Sequence, residues 1–237
     1  MKAAVMWHDV ECGRYSADLD VWHELAREAG GPVLDVGAGT GRVALDLARA
    51  GHRVTALDLD AELLEALRDR AGDLPVDTVV ADAAGFDAGE GYALVAVPMQ
   101  TIQLLPDAAA RRGFFASARR AVVAGGIVAL AIAEELETFE DEIELPPPDA
   151  GEADGWRYLS QPTAVRAVPE GMRIERLRHT IAPDGERTVA PDVIVLARVT
   201  ADDLHAEGEA AGLAPAGVRS IDATAEHVGS EVVLMLG

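Results

Sequence analysis

The residue types that could do chemistry here are three glycines, Gly37, Gly39 and Gly41, followed at wider spacing by two acids, Asp58 and Asp82. The glycines lie in Val33-Leu34-Asp35-Val36-Gly37-Ala38-Gly39-Thr40-Gly41-Arg42. Such a run lets the backbone turn sharply and lets a ligand approach where a Cβ would clash. The dinucleotide fingerprint G-x-G-x-x-G uses its glycines to seat a pyrophosphate on a helix N-terminus. This run departs from it: the third glycine comes one residue early and Arg42 stands where glycine is wanted. Asp58 closes the next apolar stretch, spaced to sit beside the glycines. An acid there accepts hydrogen bonds from both ribose hydroxyls of an adenosine. Its plainer role is a helix cap, which Asp60 can fill instead. Asp82 closes the following stretch, where a carboxylate can accept the adenine amino group or serve only as a loop acid.

These positions require a strand before each of them. Residues 33–36 read as a buried strand, 37–41 as a tight loop and 42–50 as a helix stopped by Gly51. Strands follow at 53–57, 76–81, 92–97 and 127–133, with helices at 61–70 and 107–122 capped by Asp60 and Asp107. A helix over 17–29 precedes them all. Strand and helix in alternation imply crossovers and a parallel sheet, and the uninterrupted apolar strands imply helices on both faces. Ligands in such folds bind outside the C-terminal strand ends. After residue 133 the pattern changes. Residues 134–154 are rich in acids, hold no Lys or Arg, and carry Pro146-Pro147-Pro148, which reads as a linker. Runs at 157–168, 172–182 and 188–199 are separated by Pro169-Glu170-Gly171 and Pro183-Asp184-Gly185-Glu186, which is turn chemistry and predicts an antiparallel meander. A helix from an Asp202 cap to Ala211, then strands at 218–221 and 232–236, complete the chain. The expected fold is α/β, a doubly wound, seven-stranded, mostly parallel sheet with an antiparallel β-meander inserted after strand five. The expected division is a cap helix region at 1–31, a core at 32–133 and 200–237, and a linker plus meander at 134–199.

Composition narrows the function. The 237 residues are 49% hydrophobic but only 4% aromatic, so the core must rest on Ala, Val, Leu and Ile. The formal charge of −21 disfavours a phosphate backbone as partner, so no nucleic acid is expected. No apolar run approaches the ~18 residues of a membrane span. The first thirty or so residues carry charges throughout and lack a secretory core. Cys12 is the single cysteine, so no intrachain disulfide or cysteine-based zinc site can form. No metal and a cytoplasmic location are expected.

Taken together, the motifs resemble those of the class I S-adenosylmethionine (SAM)-dependent methyltransferases, of the subgroup acting on small molecules. The resemblance rests on VLDVGAGTGRVAL (33–45), ALDLD (56–60), VVADAAGF (79–86) and AVPMQTIQLL (96–105), in the family's order and spacing. It implies a Rossmann-like core with SAM as cofactor and S-adenosylhomocysteine as product. It implies that Gly37, Ala38 and Gly39, with Gly41 closing the turn, lie under the methionine part and ribose. Asp58 would bind the ribose hydroxyls, Leu59 would pack on adenine, and Asp82 would meet the adenine amino group with Ala83 nearby. Val97 and Pro98 would border the methionine part. Tyr15 and Trp22 are candidates to cover the cofactor, Trp22 more simply as core.

Methyl transfer from a sulfonium is an in-line displacement that positioning alone can drive, with a base needed only for a protonated acceptor. The catalytic residue is therefore unassigned, with His179, Gln100 and His8 as candidates. The Asn/Asp-Pro-Pro-Tyr/Phe pattern of enzymes that methylate exocyclic amino groups is absent, the sequence having Val97-Pro98-Met99-Gln100. The Pro-Cys nucleophile of C5-cytosine enzymes is also absent. Both point to a small-molecule acceptor, with secondary metabolism as its expected setting. Met99, Gln100, Gln103, Trp156 and Tyr158 are candidates to touch it. The insertion is expected to lid the pocket or pair in a homodimer. The alternative is an enzyme of the same fold performing elimination, cyclisation or decarboxylation, since these motifs report the cofactor rather than the reaction.

Overall fold

The structure, a computed structural model, describes residues 2–134, 136–140, 145–223 and 229–237. Residue 135 and residues 141–144 of the expected acidic linker lie outside the described residues. Along the chain run α1 (Ala3–Glu11), α2 (Leu19–Ala29), β1 (Val33–Val36), α3 (Arg42–Arg49), β2 (Val54–Asp58), α4 (Ala61–Ala71), β3 (Val76–Val80) and β4 (Tyr92–Val97). A 3-10 turn (Thr101–Leu104), α5 (Ala108–Ala121) and β5 (Val122–Ile132) follow. Then come β6 (Asp149–Ala153), β7 (Trp156–Val168), β8 (Gly171–Ile181), β9 (Arg187–Ala197), α6 (Ala201–Ala210), β10 (Ala214–Ile221) and β11 (Ser230–Leu236).

The chain divides into two compact units, one of residues 15–134 and 199–237, the other of 1–14 and 135–198. The first holds a seven-stranded sheet in the order β10-β11-β5-β4-β1-β2-β3. Strands β1 to β5 are mutually parallel and β11 is antiparallel to both β5 and β10. Alternation along β1 and β4 feeds two apolar layers. Val33, Leu94 and Ala96 face Trp22 and Leu25 of α2, Val43 and Leu47 of α3, and Leu64 and Leu67 of α4. Leu34, Val36, Val95 and Val97 face Phe114 and Phe115 of α5 and Leu204 of α6. The doubly wound core expected from the sequence is borne out. Strand order reverses between β1 and β4, which opens a crevice at their C-terminal ends.

The expected caps Asp60 and Asp107 both accept two backbone N–H groups of their helices. The last helix begins earlier than read. Thr200, not Asp202, is its cap, in a reciprocal box with Asp203. β5 begins at Val122 rather than 127, running through Gly125-Gly126. At Gly126 a Cβ would meet the Ala93 carbonyl oxygen at 2.9 Å, so the glycine there lets two strands close up instead of ending one.

In the second unit β6-β7-β8-β9 form an antiparallel sheet, the expected meander extended by β6. Helix α1 packs on it with Val5, Met6 and Val10 buried. Gly151 of β6 leaves room for Val10, whose Cγ2 would stand 2.7 Å from an added Cβ. Glu11 ends the helix inside a polar cluster. Arg178 grips its carboxylate with two hydrogen bonds of 2.8 and 2.7 Å, Arg176 adds one of 3.1 Å, and the Ser160 hydroxyl donates at 2.7 Å. Asp192 pairs with Arg178 at 2.9 Å, and the Arg178 guanidinium lies over the Trp7 ring. The stretch 1–31, expected as one cap region, is thus distributed over both units.

Candidate functional site

The C-terminal ends of β3, β2, β1 and β4 bring the motif residues together. Register pairs Val36 with Leu57 and Asp58 with Val80, so Gly37, Asp58 and Ala81-Asp82 follow one another along one edge. The amides of Gly37 and Ala38 both donate to the Leu57 carbonyl, at 2.8 and 3.0 Å, which ties the loop to β2. Gly37 has φ 77°, and a Cβ there would stand 2.4 Å from Thr101 Cγ2. Gly41 has φ 97°, and its Cβ would meet Leu45 and Leu67 at 2.8 Å. Both glycines therefore make room for the chain's own packing as well as for the turn, which the ligand-approach reading did not foresee.

The Gly39 amide donates to Asp58 Oδ2 at 2.8 Å, and the Asp60 amide donates to Asp58 Oδ1 at 2.9 Å. Each Asp58 oxygen thus holds one backbone donor and keeps a lone-pair direction for a second. The carboxylate is half-buried beside the loop. Leu59, the next residue, is 70% exposed, a large apolar side chain held out of the core. Asp82 is exposed and caps its own turn, accepting from the Ala84 amide at 2.8 Å. Ala83 packs partly against the apolar layer below.

Val97 and Pro98 are buried at the end of β4. Met99 then takes φ 53°, a left-handed conformation that a long side chain adopts only when its surroundings enforce it. Thr101 secures that bend by donating its hydroxyl to the Pro98 carbonyl at 3.0 Å. Gln100 is half-buried at the start of the 3-10 turn. Gln103 departs from its expected role toward an acceptor. It is buried, its Nε2 donates to the Ala133 carbonyl at 3.0 Å, and its Oε1 accepts from the Ala133 amide at 2.9 Å. Both ends of that amide clamp the 3-10 turn to the residue after β5.

Beneath the loop lies a group of charges that motif reading passed over. Asp18 is buried, and its carboxylate takes a two-pronged ion pair from Arg42 and an N–H from Trp22 at 2.8 Å. Arg42 also donates to the Tyr15 carbonyl at 2.9 Å and lies over the Tyr15 ring. Arg42, noted at first for breaking the dinucleotide fingerprint, therefore anchors the segment before α2 to the glycine loop. Tyr15 is buried in that anchor, and its hydroxyl is pushed above its ordinary range by burial. Trp22 is core, as its simpler reading held. Asp35, in β1, is 1% exposed, and neither of its oxygens makes a hydrogen bond. The Ala44 amide is near enough to favour the anion without being aligned to bond it. Burial pushes the Asp35 carboxyl up to about 7, against the pull of Arg42 and helped by the repulsion of Asp58. Its sequence signal was an acid inside the otherwise apolar run Val33-Leu34-Asp35-Val36.

His8, Trp156, Tyr158 and His179 belong to the other unit. Tyr158 packs edge-on against Trp7, with ring centroids 5.4 Å apart. Trp156 is 40% exposed at the start of β7. His179 takes the Arg187 guanidinium on Nδ1 at 2.7 Å. Its residual desolvation, and then the Arg187 charge, hold it below the usual histidine range. Among the described residues no group of three His, Cys, Asp or Glu is placed to hold a metal ion. No helix there is long and apolar enough to cross a membrane.

Residues 33–126, which span the glycine loop, both acids and the β4 end, match the family described as "Methyltransferase domain". Over that stretch, well under half of the chain, the sequence resembles a methyltransferase domain. The class I resemblance read from the four motifs is borne out. A ribosomal RNA small subunit methyltransferase A of Anaeromyxobacter dehalogenans (strain 2CP-C) is 32% identical to the chain over 110 residues, 41% of this chain and 38% of that protein. The match thus spans well under half of that relative. Solved structures resemble the whole chain. A sugar N-methyltransferase from Streptoalloteichus sp ATCC 53650 aligns with TM-score 0.73 and 18% identity over 100% of this chain and 94% of its own. A SAM-bound amino pentose methyltransferase from Micromonospora echinaspora, involved in calicheamicin biosynthesis, aligns with TM-score 0.72 and 20% identity, covering 98% and 97%. At these identities the likeness shows a shared fold, which takes in both the seven-stranded sheet and the inserted meander.

Proposed function

We propose that this chain is a SAM-dependent methyltransferase that passes the sulfonium methyl to a small-molecule acceptor. The observation that carries the reading is Asp58: a carboxylate fixed by the Gly39 and Asp60 amides, with acceptor capacity left on both oxygens. That geometry suits a vicinal diol. Gly37, Ala38 and Gly39, braced by Gly41, would support the methionine and ribose, and Tyr15 would flank the loop from the Arg42 anchor. Exposed Leu59 would lie along the adenine, Asp82 and Ala83 at its amino edge, and Val97 and Pro98 beside the methionine part. When bound, SAM supplies a methyl group activated by the positive sulfur. The chain's own work is to bind, align and exclude water, which is enough for an acceptor that is neutral at working pH.

Met99 and Gln100 remain the residues proposed to meet the acceptor. Gln103 drops out because its amide is fully used. Gln100 is the catalytic candidate that lies in the same unit as the glycine loop. By analogy with the two solved structures, which align along nearly the whole chain, insertion included, the acceptor is a sugar-like small molecule carrying an amine, as in secondary metabolism. A homodimer through the open β9 edge, where Val189, Val193 and Val195 are exposed, and a cytoplasmic location belong to the same proposal.

Calorimetric titration with SAM and with S-adenosylhomocysteine tests the cofactor. Both should bind, and Asp58→Ala should weaken binding by about 2–3 kcal/mol, on the order of a hundredfold, as charged hydrogen bonds are lost. No binding of either at high micromolar concentration would sink the reading. Methyl-labelled SAM offered with amino sugars and, separately, with ribosomal RNA tests the acceptor. Label entering only the RNA would overturn the small-molecule assignment.

A further inference from the structure

The carboxylates under the glycine loop outnumber the cations. Asp18, Asp58 and one guanidinium, that of Arg42, all act on Asp35. Asp18 occupies the fork of that guanidinium, and the Tyr15 carbonyl takes a further N–H. Asp58 is compensated by two backbone amides. Asp35 has no hydrogen bond and no exposure to solvent. An isolated buried carboxylate is expensive to ionise, and a neighbouring like charge raises the cost. The charged groups acting on it are Arg42 from α3, Asp58 from β2 and Asp18 from the segment before α2, a net negative surrounding.

We propose that Asp35 holds a proton in the cofactor-free protein and releases it to solvent when the cofactor's ammonium group seats on the glycine loop, so that cofactor affinity is linked to pH. The inference rests on the SAM reading. It adds to it a specific proton donor and a direction. The amino-acid part of SAM or of S-adenosylhomocysteine brings an ammonium to a region whose charge is otherwise negative. Added positive charge favours the ionised form of every carboxylate near it, and Asp35 is the one with most to gain, since no hydrogen bond holds its anion and the nearby Arg42 is already paired with Asp18. Asp35 acts here as a positioning residue: its charge holds the cofactor's cationic end, and its proton reports the binding.

The test is calorimetric titration of S-adenosylhomocysteine in two buffers of different ionisation enthalpy, repeated across about pH 5.5 to 7, below the α-amino range of about 7.7–8.0, so that the ligand's own amine stays protonated. The dependence of the observed heat on buffer counts the protons released. The wild-type protein should release a substantial fraction of a proton near pH 7, and affinity should climb with pH by up to about tenfold per unit below that point. Asp35→Asn should bind without buffer dependence. Wild-type binding with no proton release overturns the proposal and leaves the cofactor reading intact. Release that persists in Asp35→Asn also overturns it. No binding at all by the wild type removes the cofactor reading and this proposal with it. Infrared spectroscopy of the wild type needs no variant. A protonated-carboxyl band near pH 7 that disappears on ligand addition supports the proposal, and its absence before addition overturns it.

Discussion

Asp35 and Glu11 are both buried carboxylates, one in each unit, and the fold treats them oppositely. Glu11 is met by two arginines and a serine hydroxyl; Asp35 makes no hydrogen bond. Burial is the largest influence on each and raises both. At Glu11 the hydrogen bonds and charges of Arg178 and Arg176, with Ser160, outweigh it, and the carboxyl falls below its ordinary 4.5. At Asp35 the single cation is spent on Asp18, and the carboxyl rises to about 7. The difference separates a charge used to hold a helix on a sheet from one left uncompensated where a ligand is expected. Saturated ion clusters fix structure, whereas an unsatisfied buried acid stores a cost that a binding partner can relieve.

The sharpest way to break this contrast is Glu11→Ala. It leaves the half-buried Arg176 and Arg178 with only Asp192 between them and should cost about 3 kcal/mol of stability, the low end for a buried pair, read by urea unfolding followed by circular dichroism. A loss below about 1 kcal/mol would mean that the cluster does not hold α1 on the meander. The next effect is the opposite pH dependence of the two acids. Asp35 is raised in the folded state, so its contribution to stability is whole below about 3.8 and is lost as pH rises to about 7. The interval caps that loss at about 4 kcal/mol. Glu11 is lowered, so its contribution is present above 4.5 and lost as pH falls through its folded value. Melting temperature against pH should therefore decline between about pH 4 and 7, and Asp35→Asn should flatten that decline without touching the acid limb. The smallest change is Gln103→Ala, in the same unit as Asp35 but at a polar group fully used. It strands the Ala133 amide and carbonyl and should cost about 2 kcal/mol with no pH dependence. A pH-dependent loss would mean that the 3-10 turn is coupled to the charge group under the loop.

The core was legible in the sequence because its signals are local. A four-residue run before glycines, apolar but for Asp35, fixes β1, and Asp60 and Asp107 announce their helices ahead of the apolar stripe. The Thr200-x-x-Asp203 box was equally local and could have been found by the same rule. What escaped was decided by distant partners. Helix α1 ends on Glu11, whose stabilising arginines lie 165 and 167 residues further on. Strand β6, Asp149–Ala153, is a short run of small and acidic residues that becomes a strand only because β7 offers it an edge. At the site, Asp58 was readable from spacing, but the commitment of Gln103 to Ala133 and the isolation of Asp35 depend on packing that no local pattern encodes.

The long reach of Glu11 has a consequence for the newborn chain. The unit that contains α1 is discontinuous: the chain leaves it after residue 14, re-enters at 135 and departs again at 198. During synthesis at roughly 5–20 residues per second, α1 emerges on the order of ten seconds or more before the strand that carries Arg176 and Arg178. For that interval Val5, Met6, Trp7 and Val10 have no sheet to cover them and Glu11 has no cation. The first helix made is thus among the last to be placed, and a ribosome stalled before residue 178 would present it as a ready substrate for chaperones.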